Sequence, residues 1–594
     1  MNRKNIWCLA AMLLSVAVTA VAQKNVKTYP LVGANLKAGA NMSAPGDEKG
    51  QTVVFEIKDR GLLPYNQAAV KQTTEQVQFA PRADKPYFTV RFALPIPPSY
   101  TKTETAALTG IDFGVYHHNH SPGFEVLPNG DAFAIYFSTP RGLAEKDTAT
   151  TWVQSRLRYG SEEWDMPELL YTTQGGNDQS GLLWNDNGKI WFFGGGRSMS
   201  DYVPFRIATS TDNGVHWEIL IPKFNKRPTD FTAQPITNAF RDPKGNIYMA
   251  MDADGSQSFL WRSSDEGKTW HDMGGRTTGR HSTIVPLDQQ GTLLSIGGKN
   301  ANVDGWTPQN ISKDWGKTWE KATAAPFPQL GSGQRPSMIR LQSGCLIFVS
   351  DGYLHKYSVA PPAEWAKPHD AFVAISKDNG KTWHYKTLPA GLPQDGRPPY
   401  TSLGYTTIRQ SANGIIHVLA TKDYPGLHYE FNEAWLWSDD GDILPETSGG
   451  EVKSFKEYYP SGQLKSEWSA RICPNGRYLL EGMQKEYFSD GKLEHQALYQ
   501  KGRKVGREVL MNKDGSMRWS WERSLVTNRG TWTIYWPNGK KKIESRWLTN
   551  PTARDAARQF FGYVADGPCV HFDQDGKPAK TYLFKDGVLT DRNQ

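Results

Sequence analysis

The sequence predicts an all-β protein in which a six-bladed β-propeller is followed by a domain of repeated β-hairpins. An eight-residue phrase of the form S-x-D-x-G-x-x-W occurs four times, beginning at Ser210, Ser263, Ser312 and Ser376. The copies start 53, 49 and 64 residues apart. A period of about 40–60 residues built from short strands is typical of a propeller or another repeat array. Beyond about residue 450 the phrase is replaced by short aromatic hairpins with glycine turns.

Length and composition agree with this fold class. The chain has 594 residues, so more than one domain is expected. Its 56 Gly, 37 Pro and 21 Trp indicate a turn-rich β protein. Residues 1–22 have the basic start, short apolar run and small-residue cleavage site of a secretory signal peptide. We therefore expect a secreted or periplasmic protein with no transmembrane segment and, without a cysteine at the cleavage site, no lipid anchor.

Cysteine content and charge limit the partners that we expect. Cys473 and Cys569 form a disulfide or stay as separate buried thiols, and with Cys345 they do not make a zinc site. Residues 451–594 hold 25 Lys and Arg against 17 Asp and Glu. A basic tail of this kind suits an acidic polysaccharide or a membrane surface, or is a solvated repeat face. No nucleic-acid module is present, and we expect no nucleic-acid partner, cofactor or metal.

Six glycine turns divide the propeller into blades over residues 110–445. Each blade should begin with an apolar strand that turns at a glycine and returns. The turns are at Gly130, Gly188, Gly245, Gly291, Gly344 and Gly414. The repeated phrase follows four of them, while blade 1 has a degraded copy at 159–164 and blade 6 has a remnant at 438–441. Residues 23–109 contain strands that either close the ring or form a small flanking sheet.

The repeated phrase itself is expected to be structural. Its Asp can accept backbone N–H groups, its Gly takes a positive φ and its Trp packs between blades. The phrase matches the Asp-box, or BNR repeat, of sialidase-like β-propellers, and the resemblance implies six blades and an activity on glycans. The segments YYPSGQLKSEW and YWPNGKKKIESRW resemble MORN-variant repeats, which covers residues 450–594. Such repeats stack into an elongated sheet and either dock a protein or envelope partner or stabilise the propeller.

Propeller geometry selects the candidate site residues. The inner strands of all blades begin at one face, so residues about ten before each turn glycine and eight or nine after it should gather at one funnel. Convergent polar groups at such a mouth are the default hypothesis for a binding site. The positions and their neighbours include His118, His120, Asp178, Arg197, Gln234, Arg280, His281, Lys299, Arg335 and Tyr405.

Roles follow from the chemistry of these side chains. Tyr405 lies in a segment that resembles the sialidase strand carrying the nucleophilic tyrosine, and nearby cations favour a phenolate. Glu433, downstream, is a carboxylate that orients the tyrosine or stabilises the anomeric centre in its place.

The cations at the funnel are expected to hold an acid group of the substrate. They are Arg280, Arg335, Lys299 and Arg197, and the further substrate contacts are His118 and Gln234. His281, His120 or Asp178 serves as acid or base. The histidines around His120 also suit a metal, but neighbouring residues alternate sides of a strand, which favours contacts to substrate.

Three functions remain open. The leading hypothesis is an exo-acting glycoside hydrolase that removes a terminal sugar from an anionic glycan. The second is a polysaccharide lyase for a uronate-containing glycan such as a rhamnosyl-glucuronate end, in which His120 or His281 removes the C5 proton and Tyr405 protonates the leaving oxygen. The third is a glycan-binding or envelope interaction protein without catalysis. The Arg-Ile-Pro motif of sialidases is absent before blade 1, so their three-arginine clamp does not carry over.

Overall fold

The computed structural model confirms an all-β protein with a six-bladed propeller and a separate C-terminal sheet. It describes residues 35–36, 51–56, 75–93, 108–110, 118–139, 143, 149–165, 167–171, 177–196, 205–214, 216–224, 231–253, 255–331, 333–351, 371–388, 403–421, 427–440, 448–524, 526–527, 529–548, 564–585 and 587–593. The predicted signal peptide lies outside these residues. No helix within them is long and apolar enough to cross a membrane.

Every blade is built on four antiparallel strands, to which blades 2 and 3 add further strands. In blades 1 to 5 the inner strand comes first in the chain. Blade 1 contains His118–Val126, Ala132–Thr139, Thr151–Leu157 and Glu168–Tyr171. Blade 2 contains Gln179–Asp186, Lys189–Gly195, Arg206–Ser210 and His216–Ile221. Blade 3 contains Phe231–Arg241, Ile247–Ala253, Gln257–Ser263 and Thr269–Asp272.

The remaining three blades follow the same order. Blade 4 contains Thr283–Pro286, Leu293–Ile296, Trp306–Ser312 and Thr323–Pro328. Blade 5 contains Ser337–Arg340, Leu346–Asp351, Ala371–Ser376 and His384–Thr387. Blade 6 contains Tyr405–Gln410, Ile416–Thr421, Leu427–Phe431 and, as its outer strand, Phe88–Phe92.

A strand from before the propeller region closes the ring. Phe88–Phe92 pairs antiparallel with Leu427–Phe431, so the last blade takes its outer strand from the N-terminal segment. Gln51–Glu56 extends blade 2 beside His216–Ile221, and Asn35–Leu36 pairs with Gln51–Glu56. The propeller therefore uses residues upstream of 110. The other short elements are the strand Lys223–Phe224, the 3-10 helix Glu75–Gln78 and the helix Glu433–Trp437.

In all four copies of the repeated phrase the N–H of the Gly donates to the Ser Oγ at 2.9 Å. Blade 3 shows the further contacts of the turn, of which the indole bond is absent for Trp319 in blade 4. The N–H of Gly267 donates to Ser263 Oγ at 2.9 Å, and the N–H of Thr269 donates to Asp265 Oδ1 at 2.8 Å. The indole N–H of Trp270 donates to the Gly267 carbonyl at 2.9 Å. Each turn joins the third and fourth strands, so it lies at the end of the blade remote from the start of the inner strand. The phrase therefore has the structural role predicted for it.

Glycine is required in this turn for two reasons. Gly267 has a φ of +81°, which favours glycine. A Cβ there would also lie 2.9 Å from the Trp191 ring in blade 2. The turn thus packs directly on the preceding blade, whose core includes the buried residues Trp191, Phe193 and Ile207.

In blade 1 the degraded phrase contacts the C-terminal sheet. The N–H of Leu480 donates to the Gly160 carbonyl at 2.9 Å, and the N–H of Glu162 donates to the Gly502 carbonyl at 2.7 Å. Gly160 has a φ of +87°, and a Cβ there would lie 2.5 Å from the Tyr478 ring. Blade 1 has therefore exchanged the Asp-box for a loop that pairs with the repeats.

The C-terminal domain is one twelve-stranded antiparallel sheet. Its strands are Glu451–Tyr458, Leu464–Ile472, Tyr478–Leu480, Gly482–Tyr487, Leu493–Gln500, Arg503–Met511, Met517–Ser524, Arg529–Tyr535, Lys541–Leu548, Val564–Phe572, Pro578–Lys585 and Val588–Asn593. Tryptophans 519, 521, 532 and 547 form much of its core. Cys473 and Cys569 are separate buried thiols and do not form the disulfide that was the other predicted arrangement.

A buried ionic network joins blade 1 to the repeats. Arg158 donates to Glu486 Oε1 at 2.6 Å and to Asp165 Oδ2 at 3.1 Å, and the side chains of Arg158 and Glu486 are 0% exposed. Lys504 donates to Asp165 Oδ1 at 2.6 Å and to Glu508 Oε1 at 2.8 Å. Burial alone would raise the pKa of Asp165, but Lys504 and Arg158 outweigh burial and hold that pKa below its usual range. These charges are tolerated in the interior because each is paired.

Removal of one partner from this network should destabilise the fold strongly. We expect Arg158→Met to lower the free energy of unfolding by about 3–5 kcal/mol, because Asp165 and Glu486 would lose a buried cation. Denaturant unfolding followed by tryptophan fluorescence measures this change. The matched control is Arg507→Met, whose pair with Glu522 is 3.5 Å long and half exposed. That variant should lose less than about 1 kcal/mol, and equal losses in the two variants would contradict the role given to the network.

Candidate functional site

The centre of the funnel is the hydroxyl of Tyr405, the first residue of the blade 6 inner strand. The side chain is buried at 5% exposure. Its oxygen lies 2.7 Å from His281 Nε2 and accepts a hydrogen bond from Lys299 Nζ at 3.1 Å. Blades 4 and 6 thus converge on one phenol, as the spacing of the turn glycines predicts.

His281 is held by Asp252 at the end of the second strand of blade 3. The backbone N–H of His281 donates to Asp252 Oδ1 at 2.7 Å, and His281 Nδ1 lies 2.6 Å from Asp252 Oδ2. The carboxylate favours the tautomer with the proton on Nδ1, which leaves Nε2 to accept the Tyr405 proton. His281 has a φ of +60°, and backbone strain of this kind is common at functional sites.

The charge state of this pair follows from burial. Burial lowers the pKa of His281 to about 3, against the opposing effect of Asp252. For Asp252 burial would raise the pKa, but His281 and Arg280 outweigh burial and lower it. The resting site therefore holds a neutral imidazole beside an ionised carboxylate.

Lys299 reaches Tyr405 because two glycines precede it. Gly297 and Gly298 have φ values of +146° and +147°, and a Cβ on Gly297 would lie 2.6 Å from Ser282 Cα. Lys299 then exchanges backbone hydrogen bonds with Arg280 at 2.9 and 3.2 Å. Its ammonium is thereby positioned beside the phenol oxygen.

Arg335 lies over the ring of Tyr405, with its Cζ 4.9 Å from the ring centroid. Its guanidinium donates to Ser121 Oγ at 3.1 Å and to the Pro122 carbonyl at 3.2 Å. Burial lowers the pKa of Arg335 to about 10, so it stays cationic near neutral pH. Arg335 therefore acts on the tyrosine from within the protein and is not exposed to a ligand.

His120 and Arg280 complete the group. The ring of His120 is buried, and its centroid is 4.0 Å from that of Tyr405. Arg280 donates to Asp252 Oδ2 at 3.2 Å and to Gln234 Oε1 at 3.1 Å, and its side chain is 21% exposed. Arg280 is thus a cation that a ligand in the funnel can reach.

Comparison with known families agrees with both parts of the fold. Residues 130–418 match the BNR repeat-like domain, and residues 452–469, 480–501 and 529–547 match the MORN repeat variant. The chain combines a BNR propeller with MORN-variant repeats. A search of curated proteins finds no match.

Several solved structures are similar to this chain at low sequence identity. A protein of unknown function from Dyadobacter fermentans is 17% identical and covers 58% of this chain and 99% of its own, with a TM-score of 0.40. The Hadza microbial sialidase Hz136 is 14% identical and covers 55% of this chain and 67% of its own, with a TM-score of 0.40. The Trypanosoma rangeli sialidase is 12% identical and covers 86% of this chain and 92% of its own, with a TM-score of 0.37.

Two predicted carboxylates of the site are Asp178, which is paired within blade 2, and Glu433, which follows the third strand of blade 6. Asp178 is buried, and its Oδ1 accepts a hydrogen bond from Arg206 at 2.8 Å. Glu433 begins the helix Glu433–Trp437, which follows the third strand of blade 6. That strand runs away from the face where Tyr405 begins, so Glu433 is at the opposite end of the blade. Glu433 is therefore not placed to assist the tyrosine, whereas Asp178 stays a prediction whose carboxylate is paired with Arg206.

Two further predictions fall on residues with no described side chain. Arg197 lies outside the described residues. His118 begins the inner strand of blade 1, so its backbone is at the funnel, and its side chain lies outside the described structure. Both stay predictions.

The prediction from sequence omitted Asp252. This residue lies seven positions after Gly245, whereas Lys299 lies eight after Gly291, so both occupy the same end of equivalent strands. A search of the positions seven to nine residues after each turn glycine would have selected Asp252.

A second histidine cluster in blade 6 has the composition of a metal site. The ligand atoms of His417, His428 and Glu430 lie within 4.8 Å of one another. However, Arg91 donates to Glu430 Oε1 at 2.6 Å and lies 3.2 Å from His428 Nδ1. The guanidinium thus occupies the acceptor atoms that a metal ion would need, and the cluster is an ion-pair network.

His281 should remain neutral over the whole range near neutral pH. Because burial lowers its pKa to about 3, protonation should occur only as the pH falls toward that value. An unfolded chain would take up this proton near pH 6.5, so His281 reduces folding stability as the pH falls below about 6.5. Nitrogen-detected NMR of ¹⁵N-histidine protein from pH 8 to 5 should show one unchanging neutral tautomer with the proton on Nδ1. A transition to imidazolium between pH 6 and 7 would contradict this charge state.

Proposed function

We propose that the protein is a secreted carbohydrate-active enzyme, an exo-acting glycoside hydrolase that removes a terminal sugar from an anionic glycan. The observation that carries the proposal is the position of the Tyr405 hydroxyl, 2.7 Å from the neutral acceptor His281 Nε2 and 3.1 Å from Lys299 Nζ. An acceptor for its proton and a cation beside its oxygen are what a phenol needs to act as a nucleophile.

In the first step the Tyr405 oxygen bonds to the anomeric carbon and the bond from that carbon to the leaving oxygen breaks. The phenol proton passes to His281 Nε2, and Asp252 stabilises the imidazolium that forms. His281 is a weak base at rest, so this transfer accompanies the attack and does not precede it. Lys299 and Arg335 stabilise the negative charge on the phenol oxygen until the new bond is made.

The leaving oxygen also needs a proton, and His120 is the group beside Tyr405 that can supply one. In the second step water attacks the anomeric carbon and gives a proton to His120, the bond to Tyr405 breaks, and the proton on His281 returns to the phenol oxygen. The acid group of the substrate is assigned to Arg280, whose guanidinium is partly exposed, and to Lys299. Arg197, His118 and Gln234 remain proposed substrate contacts.

A second candidate function is a lyase for a uronate-containing glycan. It is favoured by the pairing of Asp252 with Arg280 and of Asp178 with Arg206, which makes the histidines beside Tyr405 the better candidates for an acid or base. In this reaction a base removes the proton at C5, the C4–O bond breaks to leave a C4–C5 double bond, and the leaving oxygen is protonated. His281 or His120 would be the base and Tyr405 the acid, while Arg280 and Lys299 neutralise the uronate.

One assay separates these functions. The full chain is incubated with sialylated, glucuronylated and galacturonylated glycans, and both free sugar and the ultraviolet absorbance of an unsaturated uronate are followed. We expect release of a terminal sugar without the absorbance. Appearance of the absorbance would overturn the hydrolase in favour of the lyase. Neither product, with retained glycan binding, would overturn both and indicate a binding protein.

Substitution of the central residues should abolish turnover without unfolding the protein. We expect Tyr405→Phe and His281→Gln each to lower kcat by about 10²–10⁴, because they remove the nucleophile and the acceptor of its proton. The matched control is Tyr458→Phe, an exposed tyrosine in the repeats, which should leave kcat unchanged. Wild-type turnover in Tyr405→Phe would exclude Tyr405 from the mechanism.

A further inference from the structure

A large groove lies on the outer side of the propeller between blades 4 and 5. Its volume is about 870 Å³, within the range of ligand-binding clefts. Strand residues of blade 4 line one side, and the Asp-box of blade 5 lines the other. The groove belongs to neither the funnel nor the joint with the repeats.

The groove extends over much of the height of blade 4. Trp306 is at the end of the third strand nearest the funnel, and Lys381 lies in the Asp-box at the remote end. The six residue steps of the strand Trp306–Ser312 span roughly 20 Å at 3.3 Å per residue. An extended ligand therefore fits this surface better than a single small molecule.

The lining has the composition of a sugar-binding surface. Leu294, Ile311 and Ala325 provide an apolar floor. Trp306 is half-buried at one end and makes no ring or cation contact with any residue that the structure describes. Sugar rings have an apolar face that packs on an indole, and their hydroxyls bind charged and polar groups.

Charged groups at the other end of the groove can supply those polar contacts. Asp288 and Lys381 both line it and are exposed. Within the described part of the chain, neither side chain forms an ion pair. Asp288 Oδ1 accepts the backbone N–H groups of Gln290, Gly291 and Thr292. The groove thus presents the Lys381 ammonium at one end and the Trp306 indole at the other.

A short turn of the chain joins Lys299 at the funnel to Trp306 at one end of the groove. Lys299, which contacts Tyr405, is seven residues before Trp306. Between them Val303 and Trp306 exchange backbone hydrogen bonds at 3.0 and 2.9 Å, which hold the turn closed. Trp306 therefore lies on the chain segment that directly follows the funnel cation Lys299.

We propose that this groove is a distal subsite that binds the internal sugars of a polysaccharide whose terminal residue lies at Tyr405. The link to Tyr405 rests on the proposed function, whereas glycan binding by the groove does not. The ligand class is a polysaccharide chain, because the groove is long, apolar at its floor and hydrogen-bonding at its rim.

Affinity electrophoresis of the full chain tests glycan binding separately from catalysis. The native gels contain polygalacturonate, hyaluronan, chondroitin sulfate or xylan. We expect at least one polysaccharide to retard the wild type and Tyr405→Phe equally, and Trp306→Ala to weaken that retention about tenfold. The matched control is Trp437→Ala, a tryptophan that is 41% exposed on the blade 6 helix and should change nothing.

Absence of retardation for the wild type, or equal retention of wild type and Trp306→Ala, would overturn the subsite and leave a protein partner for the groove. If the enzyme proves active, Trp306→Ala should lower kcat/KM on the polymer about tenfold and leave a short aryl glycoside unaffected. Equal losses on both substrates would contradict a distal subsite. Retention without any turnover would overturn the proposed function of the funnel while supporting the groove.

Discussion

The candidate site depends on one buried carboxylate. Asp252 binds the backbone N–H of His281, lies against its imidazole and accepts a hydrogen bond from Arg280, so it connects blade 3 to the start of blade 4. Because the carboxylate is ionised and the imidazole neutral, His281 is directed to accept a proton from Tyr405. Without this anion the cations Arg280, Lys299 and Arg335 would surround the tyrosine with no compensating charge from blade 3. The Asp252 carboxylate thus both balances the positive charge around Tyr405 and orients the imidazole that is proposed to accept its proton.

On the opposite side of the propeller, the Asp-box turns of blades 2 to 5 are replaced in blade 1 by a loop that contacts the repeats. Four blades keep the Asp-box, which packs on the preceding blade, while blade 1 uses the equivalent loop to pair with the repeats. Arg91, in the strand that closes the ring, binds Glu430 of blade 6 and Glu162 of that loop, and Arg477 of the repeats also binds Glu162. Ring closure and attachment of the repeats therefore share one ionic network. The repeats are thus attached to the propeller by buried ion pairs.

Much of the site could be predicted because repeat register fixes strand ends. The six turn glycines located His281, Lys299, Arg335 and Tyr405 at one face, and the structure brings these residues together. Asp252 also lies near the end of a second strand, but it is seven residues after its turn glycine and the prediction considered only the eighth and ninth. Pairing across strands is not encoded by spacing: Asp178 is neutralised by Arg206, which comes from the third strand of the same blade. Nor does local sequence show that a strand at 88–92 completes the last blade, since that pairing joins residues more than 300 positions apart.

The most direct test of the central claim is mass spectrometry of the protein quenched during turnover and digested to peptides. A tyrosine nucleophile activated by His281 predicts a peptide containing Tyr405 whose mass is increased by one sugar residue. The adduct should be absent from Tyr405→Phe and should decay as product forms. Turnover that yields an unsaturated uronate with no adduct on Tyr405 would contradict nucleophilic catalysis by this residue.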